Sequence, residues 1–219
     1  MKNLYRFSAV MALALLFCAT SLASDRAFFK VIGFSSDGKY FAYETYGKKD
    51  GSGSVYSSIK VIKVSNSECI KSYETEDFKN LNLDSVRTVN IKNARTEFAK
   101  YKLNENAKGT LDYRKEGNIY QPSETVRLDK KGNRLELVLT NTTKECAPQI
   151  TKKTLTLSLK NGRKGKSIYT VAENDKLCVI SARIERVIKY KKSRICILEY
   201  LTPGFEGMDV RQLAIGFSL

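Results

Sequence analysis

The sequence contains no histidine among its 219 residues. A Ser-His-Asp or Cys-His nucleophile system needs an imidazole as its general base, and many zinc and iron centres use histidine ligands. Sites that depend on histidine are therefore excluded. Any chemistry would rest on carboxylates, lysine, tyrosine or backbone groups, and we predict neither a metal nor a cofactor.

No C-x-x-C pair occurs either, which counts against zinc-ribbon and thioredoxin-like sites. Of the five cysteines, Cys18 lies near the N-terminus, and the other four are Cys69, Cys146, Cys178 and Cys196. An even number of cysteines in an oxidising compartment favours two disulfides. Four cysteines allow three pairings, and their spacing does not select among them.

Long apolar runs are missing after the N-terminus. Lys2 and Arg6 precede an uncharged apolar run over residues 9–17, and Ser21 and Ala23 place small side chains three positions and one position before a cut. This pattern is typical of a secretory signal peptide, and the run is shorter than the roughly 20 residues of a transmembrane helix.

We therefore predict a signal peptide over residues 1–23 and a single domain over residues 24–219. This predicts a periplasmic or secreted location with no transmembrane segment after cleavage. Lipoprotein processing at Cys18 is the alternative, but that chemistry needs a small residue before the cysteine and Phe17 stands there.

The charge of the chain is strongly positive. Lys2 and Arg6 fall in the predicted leader, so the rest of the chain has 36 basic and 23 acidic residues, formally +13. Such an excess attracts anionic partners. In a cell envelope these are lipid head groups, lipopolysaccharide or wall polymers, and nucleic acid is the less expected neighbour.

Alternating apolar and polar residues between Gly, Asp and Asn turns predict a mainly β protein. Val86, Val89, Ala94, Phe98 and Tyr101 recur at near-helical spacing after an N-cap at 83–85, which predicts one amphipathic helix over about 84–102. Polar residues 104–122 are expected to form a loop. The predicted fold is a set of antiparallel hairpins that form a sandwich or a partly closed barrel. The predicted strands are 28–34, 40–46, 55–64, 125–128, 134–140, 154–159, 167–171, 178–188, 194–201 and 210–217.

One hairpin resembles a propeller blade. The segment 33–44 has the Ser-x-Asp-Gly-Lys signature of TolB-type propellers, in which an Asp-Gly turn joins two strands. A propeller needs about four to eight blades, and here the signature occurs once. A single hairpin is the better interpretation, with a propeller-like interaction module as an alternative.

Two segments carry a wider resemblance. These are Tyr46-Gly47-x-x-Asp50-Gly51-Ser52-Gly53 and Pro203-Gly204-Phe205-Glu206-Gly207-x-Asp209-x-Arg211. Together with the hairpin they resemble the predicted secreted bacterial proteins catalogued as domain of unknown function 2259, over nearly the whole chain after the leader. Where that family has proline in two places, this sequence has Val55 and Met208.

The resemblance implies an exported, envelope-side location and a cysteine pair like Cys146 with Cys178. Cys69 would then pair with Cys196 by elimination. It brings no activity, because none is established for the family.

Four carboxylates stand in the resembling segments: Glu44, Asp50, Glu206 and Asp209. If the two ends of the chain share a sheet, a pair of them could do acid/base work of the glycosidase kind. The alternative, which the sequence favours, is that Glu206 and Asp209 cap a Gly-rich turn and pair with Arg211 or a lysine.

Positive charge gathers at three predicted turns. If these turns lie at the same end of one sheet, together they form an anion-binding face. If they lie apart, they are simply solvated hairpin tips whose charges keep sheet edges from pairing. The candidate residues are Lys130, Lys131 and Arg134; Arg163, Lys164 and Lys166; and Lys191, Lys192 and Arg194.

The leading functional hypothesis is a non-catalytic envelope protein, binding or structural, whose basic surface meets anionic partners. The alternative from another class is a hydrolase of envelope glycans that uses the four carboxylates.

Overall fold

The computed structural model describes residues 25–79, 82–115, 117, 120–205 and 207–219. The predicted leader, Cys18 and Glu206 lie outside the described residues. Within them the chain forms thirteen strands and one helix, so the mainly β class is confirmed. The strands are β1 (Phe28–Ser35), β2 (Tyr40–Lys48), β3 (Val55–Lys63), β4 (Cys69–Asp77), β5 (Leu103–Asn104), β6 (Thr110–Arg114), β7 (Ser123–Arg127), β8 (Asn133–Ala147), β9 (Ile150–Asn161), β10 (Lys164–Val171), β11 (Ser181–Tyr190), β12 (Ser193–Pro203) and β13 (Met208–Ser218). The helix is α1 (Leu83–Lys100).

The strands form three open sheets. The helix-side sheet has the order β4-β3-β2-β1-β5, the central sheet β13-β12-β11-β6 and the outer sheet β10-β9-β8-β7. Every pairing within these sheets is antiparallel. Most neighbouring strands are consecutive in the sequence, because short turns join them as hairpins.

The three sheets are stacked, and β12 shows the order of the layers. Ile195 and Ile197 pack with Phe34 and Phe41 of the helix-side sheet. The alternate residues of β12, Cys196 and Leu198, pack with the outer sheet in a second core. Since successive strand residues point to opposite faces, the central sheet is covered on both sides. The predicted sandwich is confirmed, with a third layer, and the described sheets do not close into a barrel.

The same layering excludes a propeller, whose blades radiate around a channel. The Asp37 turn is nevertheless a well-formed hairpin. Asp37 Oδ1 accepts hydrogen bonds from Ser35 Oγ at 2.7 Å and from the backbone N–H of Lys39 at 3.0 Å. Gly38 has a φ of 78°, which a side chain would strain. The signature therefore describes a turn and not a repeat.

Helix α1 covers the free face of the helix-side sheet. Its N-cap is Asn82, whose side chain accepts a hydrogen bond from Ser85 N at 2.9 Å, so the helix begins one residue before the predicted cap. Val86, Ala94 and Phe98 are buried as predicted. Val89 is 49% exposed, so its predicted place on the apolar face is wrong.

Asn90 takes the position that Val89 was expected to hold. Its Nδ2 donates hydrogen bonds to Ser57 O at 2.9 Å and Tyr73 O at 3.1 Å, which joins the helix to β3 and β4. A buried amide with such partners is a polar link between layers, and hydrophobic periodicity cannot detect it.

Three edge strands, β4, β5 and β6, were not predicted. Residues 104–122 were expected to be a loop, but β6 lies there and pairs Tyr113 with Val187 of β11. β4 was also missed, although it pairs along β3 from Val55↔Asp77 to Ile62↔Cys69. Both β4 and β6 are polar and lie at sheet edges, where solvent removes the apolar alternation that identifies an inner strand.

Candidate functional site

Two of the three predicted basic turns meet at one end of the outer sheet. The strand register pairs Asn133 with Asn161 and Arg134 with Lys160, so the β7–β8 and β9–β10 turns are neighbours. Arg134 Nη2 also donates a hydrogen bond to Gly162 O at 3.0 Å. The register adds Arg127 and Lys160, which the sequence analysis missed because it treated only turns. We call this cluster the basic end: Arg127, Lys130, Lys131, Arg134, Lys160, Arg163, Lys164 and Lys166.

Asp129, the carboxylate in the first of these turns, accepts hydrogen bonds from within the turn itself. It accepts hydrogen bonds from Lys131 N at 2.9 Å and from Asn133 N at 3.1 Å and Nδ2 at 2.6 Å. The hydrogen bonds from Asn133 chiefly lower the pKa of Asp129. Asp129 therefore stays ionised while it orders the loop that presents Lys130 and Lys131.

Most cations of the basic end have no acidic partner. Lys160 forms an ion pair with Glu136. Among the residues that the structure describes, no carboxylate lies within ion-pair distance of Lys130, Lys131, Arg163, Lys164 or Lys166. These five side chains are exposed. Their charges therefore remain accessible to an anionic surface.

A shallow depression of about 260 Å³ lies within the basic end. Lys160, Lys164 and Lys166 line it together with Asn133 and Asn161, whose side chains are joined by a 2.9 Å hydrogen bond. Ammonium and amide groups around one depression are donors for phosphate or carboxylate oxygens.

The third basic turn belongs to the central sheet, and two of its three candidate residues are bound to other parts of the protein. Lys191 Nζ donates a hydrogen bond to Ser36 O, which fastens the turn to the Asp37 hairpin. Arg194 is 6% exposed, and its Nε donates to Asp112 Oδ2 at 2.7 Å. Arg194 is therefore unavailable to an external anion, and its assignment as an anion-binding residue is wrong. Lys192 is exposed at the tip.

Among the candidate carboxylates that the structure describes, Asp50 and Asp209 both lie near Asp25, whose pKa is raised chiefly by burial and further by their charges. Glu44 is fully buried under α1, where its two oxygens accept from Arg87 Nε and Nη2 at 3.0 Å each and Oε1 also accepts from Ser57 Oγ at 3.0 Å. Asp209 lies in the central sheet and pairs with Arg211 at 2.7 Å. The pairing of Asp209 with Arg211 is the one expected from the turn.

The two segments that carry the family resemblance meet in space. Phe205 packs over the 49–54 loop, where a Cβ added at Gly51 would lie 2.9 Å from the Phe205 ring. Arg211 pairs with Asp25 at 2.7 Å and donates to the Tyr56 hydroxyl at 3.3 Å. The loops thus border a cleft between β2–β4 of the helix-side sheet and β12–β13 of the central sheet, which we call the inter-sheet cleft.

Burial controls the protonation of groups beside this cleft. Burial raises the pKa of Asp25, and the neighbouring Arg211 only partly offsets this effect. Burial also raises the pKa of Tyr56 to about 12 and that of Tyr200 to about 12. Both phenols are therefore protonated at physiological pH, and their hydroxyls can donate hydrogen bonds.

A second buried ionic network lies in the central sheet and was not predicted. Glu199 is 1% exposed and accepts hydrogen bonds from Arg183 Nε at 2.8 Å, Tyr120 OH at 2.8 Å and Arg26 Nη2 at 3.1 Å. Burial opposes ionisation of Glu199, but these hydrogen bonds lower its pKa overall. Both carboxylate oxygens of Glu199 already accept hydrogen bonds. Glu199 therefore joins separate segments of the chain and is not free to act as an acid or base.

The cysteines are only partly as expected. A disulfide joins Cys146 and Cys178, whose Cα atoms are 5.8 Å apart, consistent with the pair that the resemblance implies. Cys69 and Cys196 are free thiols, so the pairing inferred by elimination is wrong. Cys69 is exposed at a sheet edge, whereas Cys196 is buried in the core beneath the outer sheet.

Two further searches concern only the described ranges. They contain no cluster of three or more Cys, Asp or Glu side chains arranged for a metal ion. They also contain no helix that is long and apolar enough to cross a membrane.

The fold and these sites define a class of protein: a layered, mainly β protein with a basic sheet end and a polar cleft between two sheets. No curated protein and no solved structure matches the chain significantly. The family model of predicted secreted proteins, domain of unknown function 2259, matches residues 42–217. The chain therefore belongs to this family, whose members are described as predicted secreted proteins, and the resemblance seen in the sequence is confirmed.

Proposed function

We propose that this protein is exported, is not a catalyst, and binds envelope components that carry repeated phosphate groups, through the basic end of the outer sheet. The observation that carries the proposal is the convergence of two turns rich in lysine and arginine. Five of their cations form no ion pair with any carboxylate in the described part of the chain. Phosphates are repeated on lipid head groups, on lipopolysaccharide and on phosphate-containing wall polymers, so their shared chemistry defines the ligand.

The strength of such binding can be bounded. A lysine or arginine near an anionic membrane contributes about 1 kcal/mol at physiological salt. Five such cations acting together would raise affinity by between three and four orders of magnitude, or about 5 kcal/mol, over a neutral surface. The attraction is screened over about 10 Å at 0.1 M salt, so binding must weaken as salt is added.

The test compares two variants with the same net charge. In the site variant Lys130, Lys131, Arg163, Lys164 and Lys166 are all changed to Gln. In the control variant five exposed lysines elsewhere are changed to Gln: Lys30, Lys63, Lys79, Lys92 and Lys108. Binding is measured by sedimentation with phosphatidylglycerol/phosphatidylcholine vesicles, and by competition with soluble polyphosphate.

The site variant should bind the vesicles at least about a hundredfold more weakly, while the control variant loses much less. Competition by polyphosphate would indicate recognition of phosphate itself, and vesicle binding without competition would indicate a lipid surface. Equal losses in the two variants would show that only net charge matters, and would overturn the assignment to the basic end. Salt-independent binding would have the same consequence.

The glycan hydrolase alternative gains no specific support from Glu44 or Asp209. Glu44 is held by Arg87 and Ser57 under the helix, and Asp209 is paired with Arg211 in another sheet. Neither is an unengaged acid beside a water-filled site, as a general acid or base must be.

The predicted signal peptide is a further part of the proposal. Cleavage after residue 23 would leave a chain that begins at Ser24, close to Asp25, the buried partner of Arg211. Mass spectrometry of the exported protein should find a chain that lacks the first 23 residues. A retained leader, or a lipid on Cys18, would contradict it.

A further inference from the structure

We propose that the inter-sheet cleft binds a neutral, hydroxyl-rich ligand of about the size of one sugar ring. This site is separate from the basic end and recognises different chemistry. The cleft has a volume of about 340 Å³, which lies within the range of small-molecule sites. It is lined by β2, β3 and β4 on one side and by Tyr200, Arg211 and Gln212 on the other.

Two of the groups that line the cleft lack partners. Ser58 Oγ and Gln212 Oε1 are buried atoms that form no hydrogen bond within the described part of the chain. Both residues belong to the lining of the cleft, from opposite sheets. A buried polar atom without a partner is costly, so it calls for an explanation. After these side chains turn toward the cleft, ligand hydroxyls can donate to the amide oxygen and donate to or accept from the serine.

The charges of the cleft are largely compensated within the protein. Lys49 is bound to Glu76 at 2.5 Å, and Arg211 is bound to Asp25 and Asp209 at 2.7 Å each. The remaining charged residues of the lining are one base, Lys60, and one acid, Glu74. The net charge around the cleft is therefore close to zero, whereas that of the basic end is strongly positive. A ligand with many hydroxyls and no net charge therefore fits better than an anion.

Two tyrosines supply the apolar part of the lining. A tyrosine offers a ring face to C–H groups and a hydroxyl at its edge. The raised pKa values of Tyr56 and Tyr200 keep these hydroxyls protonated at neutral pH. A pyranose ring presents the same combination, C–H groups on its faces and hydroxyls around its rim.

The experiment uses the exported chain and named probes. Backbone amide NMR spectra are recorded while N-acetylglucosamine, glucose or glycine is added to millimolar concentration. We expect saturable shifts at residues of the cleft, such as Tyr56, Ser58 and Gln212, with at least one of the two sugars and none with glycine. No saturable shifts with either sugar, or shifts with glycine instead, would overturn the proposal.

Variants make the test independent of folding defects. Gln212→Leu keeps the size of the side chain but removes the amide oxygen, and should weaken sugar binding about tenfold. Because that oxygen has no partner, the variant should melt at the same temperature as the parent protein or higher. Gln121→Leu, at an exposed position, is the matched control and should bind normally.

A second variant separates the cleft from the basic end. Ser58→Ala should also weaken sugar binding, whereas the five-residue basic-end variant should bind sugar like the parent protein. If Gln212→Leu and Ser58→Ala both bound sugar normally, the cleft would not be the site. A parent protein that bound sugar but not vesicles would contradict the proposed function alone, and one that bound vesicles but not sugar would contradict this inference alone.

Discussion

Single carboxylates in this protein organise turns and helices rather than a reaction centre. Asp37 is the clearest case, because its oxygens accept hydrogen bonds from the Lys39 backbone and from Ser35. These bonds, that of Lys39 first, lower the pKa of Asp37 from 3.8 to about 2. The ionised form is therefore the one that stabilises the hairpin.

This shift predicts a pH dependence. Since the pKa of Asp37 is lower in the folded state, its contribution is complete above pH 3.8 and is lost as pH falls toward about 2. Asp37→Ala should lower the free energy of unfolding by about 1 kcal/mol at pH 7, as for other side chains that cap backbone N–H groups. The difference from the parent protein should shrink between about pH 4 and pH 2 in urea unfolding. Glu105→Ala, at an exposed position, should show no such trend.

Glu44 and Arg87 illustrate a second role for a residue that looked functional. Glu44 is fully buried, so removal of Arg87 would leave a carboxylate without its cation in the interior. Arg87→Leu should lower the free energy of unfolding by about 3–5 kcal/mol. The double variant Arg87→Leu/Glu44→Leu should lose less than Arg87→Leu alone, because no unpaired charge remains.

The comparison is made by urea unfolding of both variants at pH 7. A double variant less stable than Arg87→Leu would show that the pair contributes more than it costs to bury. An Arg87→Leu variant of unchanged stability would show that the ion pair does not form.

At the scale of elements, a single glycine allows the helix-side and central sheets to come into direct contact. Gly216 of β13 faces Val64 directly after β3, and an added Cβ would lie 2.4 Å from Val64 O. Ser67 completes the contact, since its hydroxyl both donates to Gly216 O and accepts from Gly216 N. The backbones of β13 and of the segment after β3 are in direct contact here, and no side chain fits between them.

Gly216→Ala should therefore be strongly destabilising, by about 1–3 kcal/mol or more, because backbone must move. Gly165→Ala is the matched control: it also lies in a strand, but its nearest neighbour is the flexible Lys160 side chain. Thermal unfolding should show a clear loss for Gly216→Ala and a small change for Gly165→Ala. Similar melting temperatures for the two variants would contradict the close contact of the sheets.

The burial of strand β12 reflects the sheets that cover both of its faces. Residues Ser193–Glu199 are all buried, which is unusual for an antiparallel strand with only one covered face. The run Ile195-Cys196-Ile197-Leu198 is continuously apolar, and such a run indicates a strand covered on both faces. This was the available signal for a third layer, and a simple sandwich prediction did not use it.

At the scale of the whole molecule, the disulfide joins the outer sheet to the segment before β11, while the two free thiols lie in very different environments. Cys196 has no exposed surface, and burial raises the pKa of its thiol. Cys69 is exposed. Thiolate is the reactive form, so burial and the raised pKa both disfavour reaction at Cys196, and reagents should reach Cys69 first.

We therefore expect two reactive thiols in the unreduced, denatured chain after leader removal, and one in the native protein. A thiol reagent should modify Cys69 rapidly and Cys196 only on unfolding. Cys69→Ser should abolish the fast phase and leave the slow one. A chain with no free thiol after denaturation would restore the Cys69–Cys196 pairing that the structure contradicts.

The sequence by itself determined features that depend on neighbours along the chain. The Asp37 turn, the strand periodicity and the spacing of Val86, Ala94 and Phe98 on the helix all follow from local backbone geometry, and the structure contains them. The family resemblance was also visible in the two Gly-rich segments. Polar edge strands such as β4 were not predicted from the sequence, because exposed edges lack the apolar alternation of inner strands.

Only the tertiary structure decided which distant residues meet. The burial of Arg194 against Asp112, the pairing of Glu44 with Arg87 and the separation of Cys69 from Cys196 depend on which sheets face each other. Likewise, two basic turns converge because β8 and β9 pair in one register. Such contacts arise from the stacking of layers, which local periodicity does not encode, and both proposed sites are consequences of that stacking and pairing.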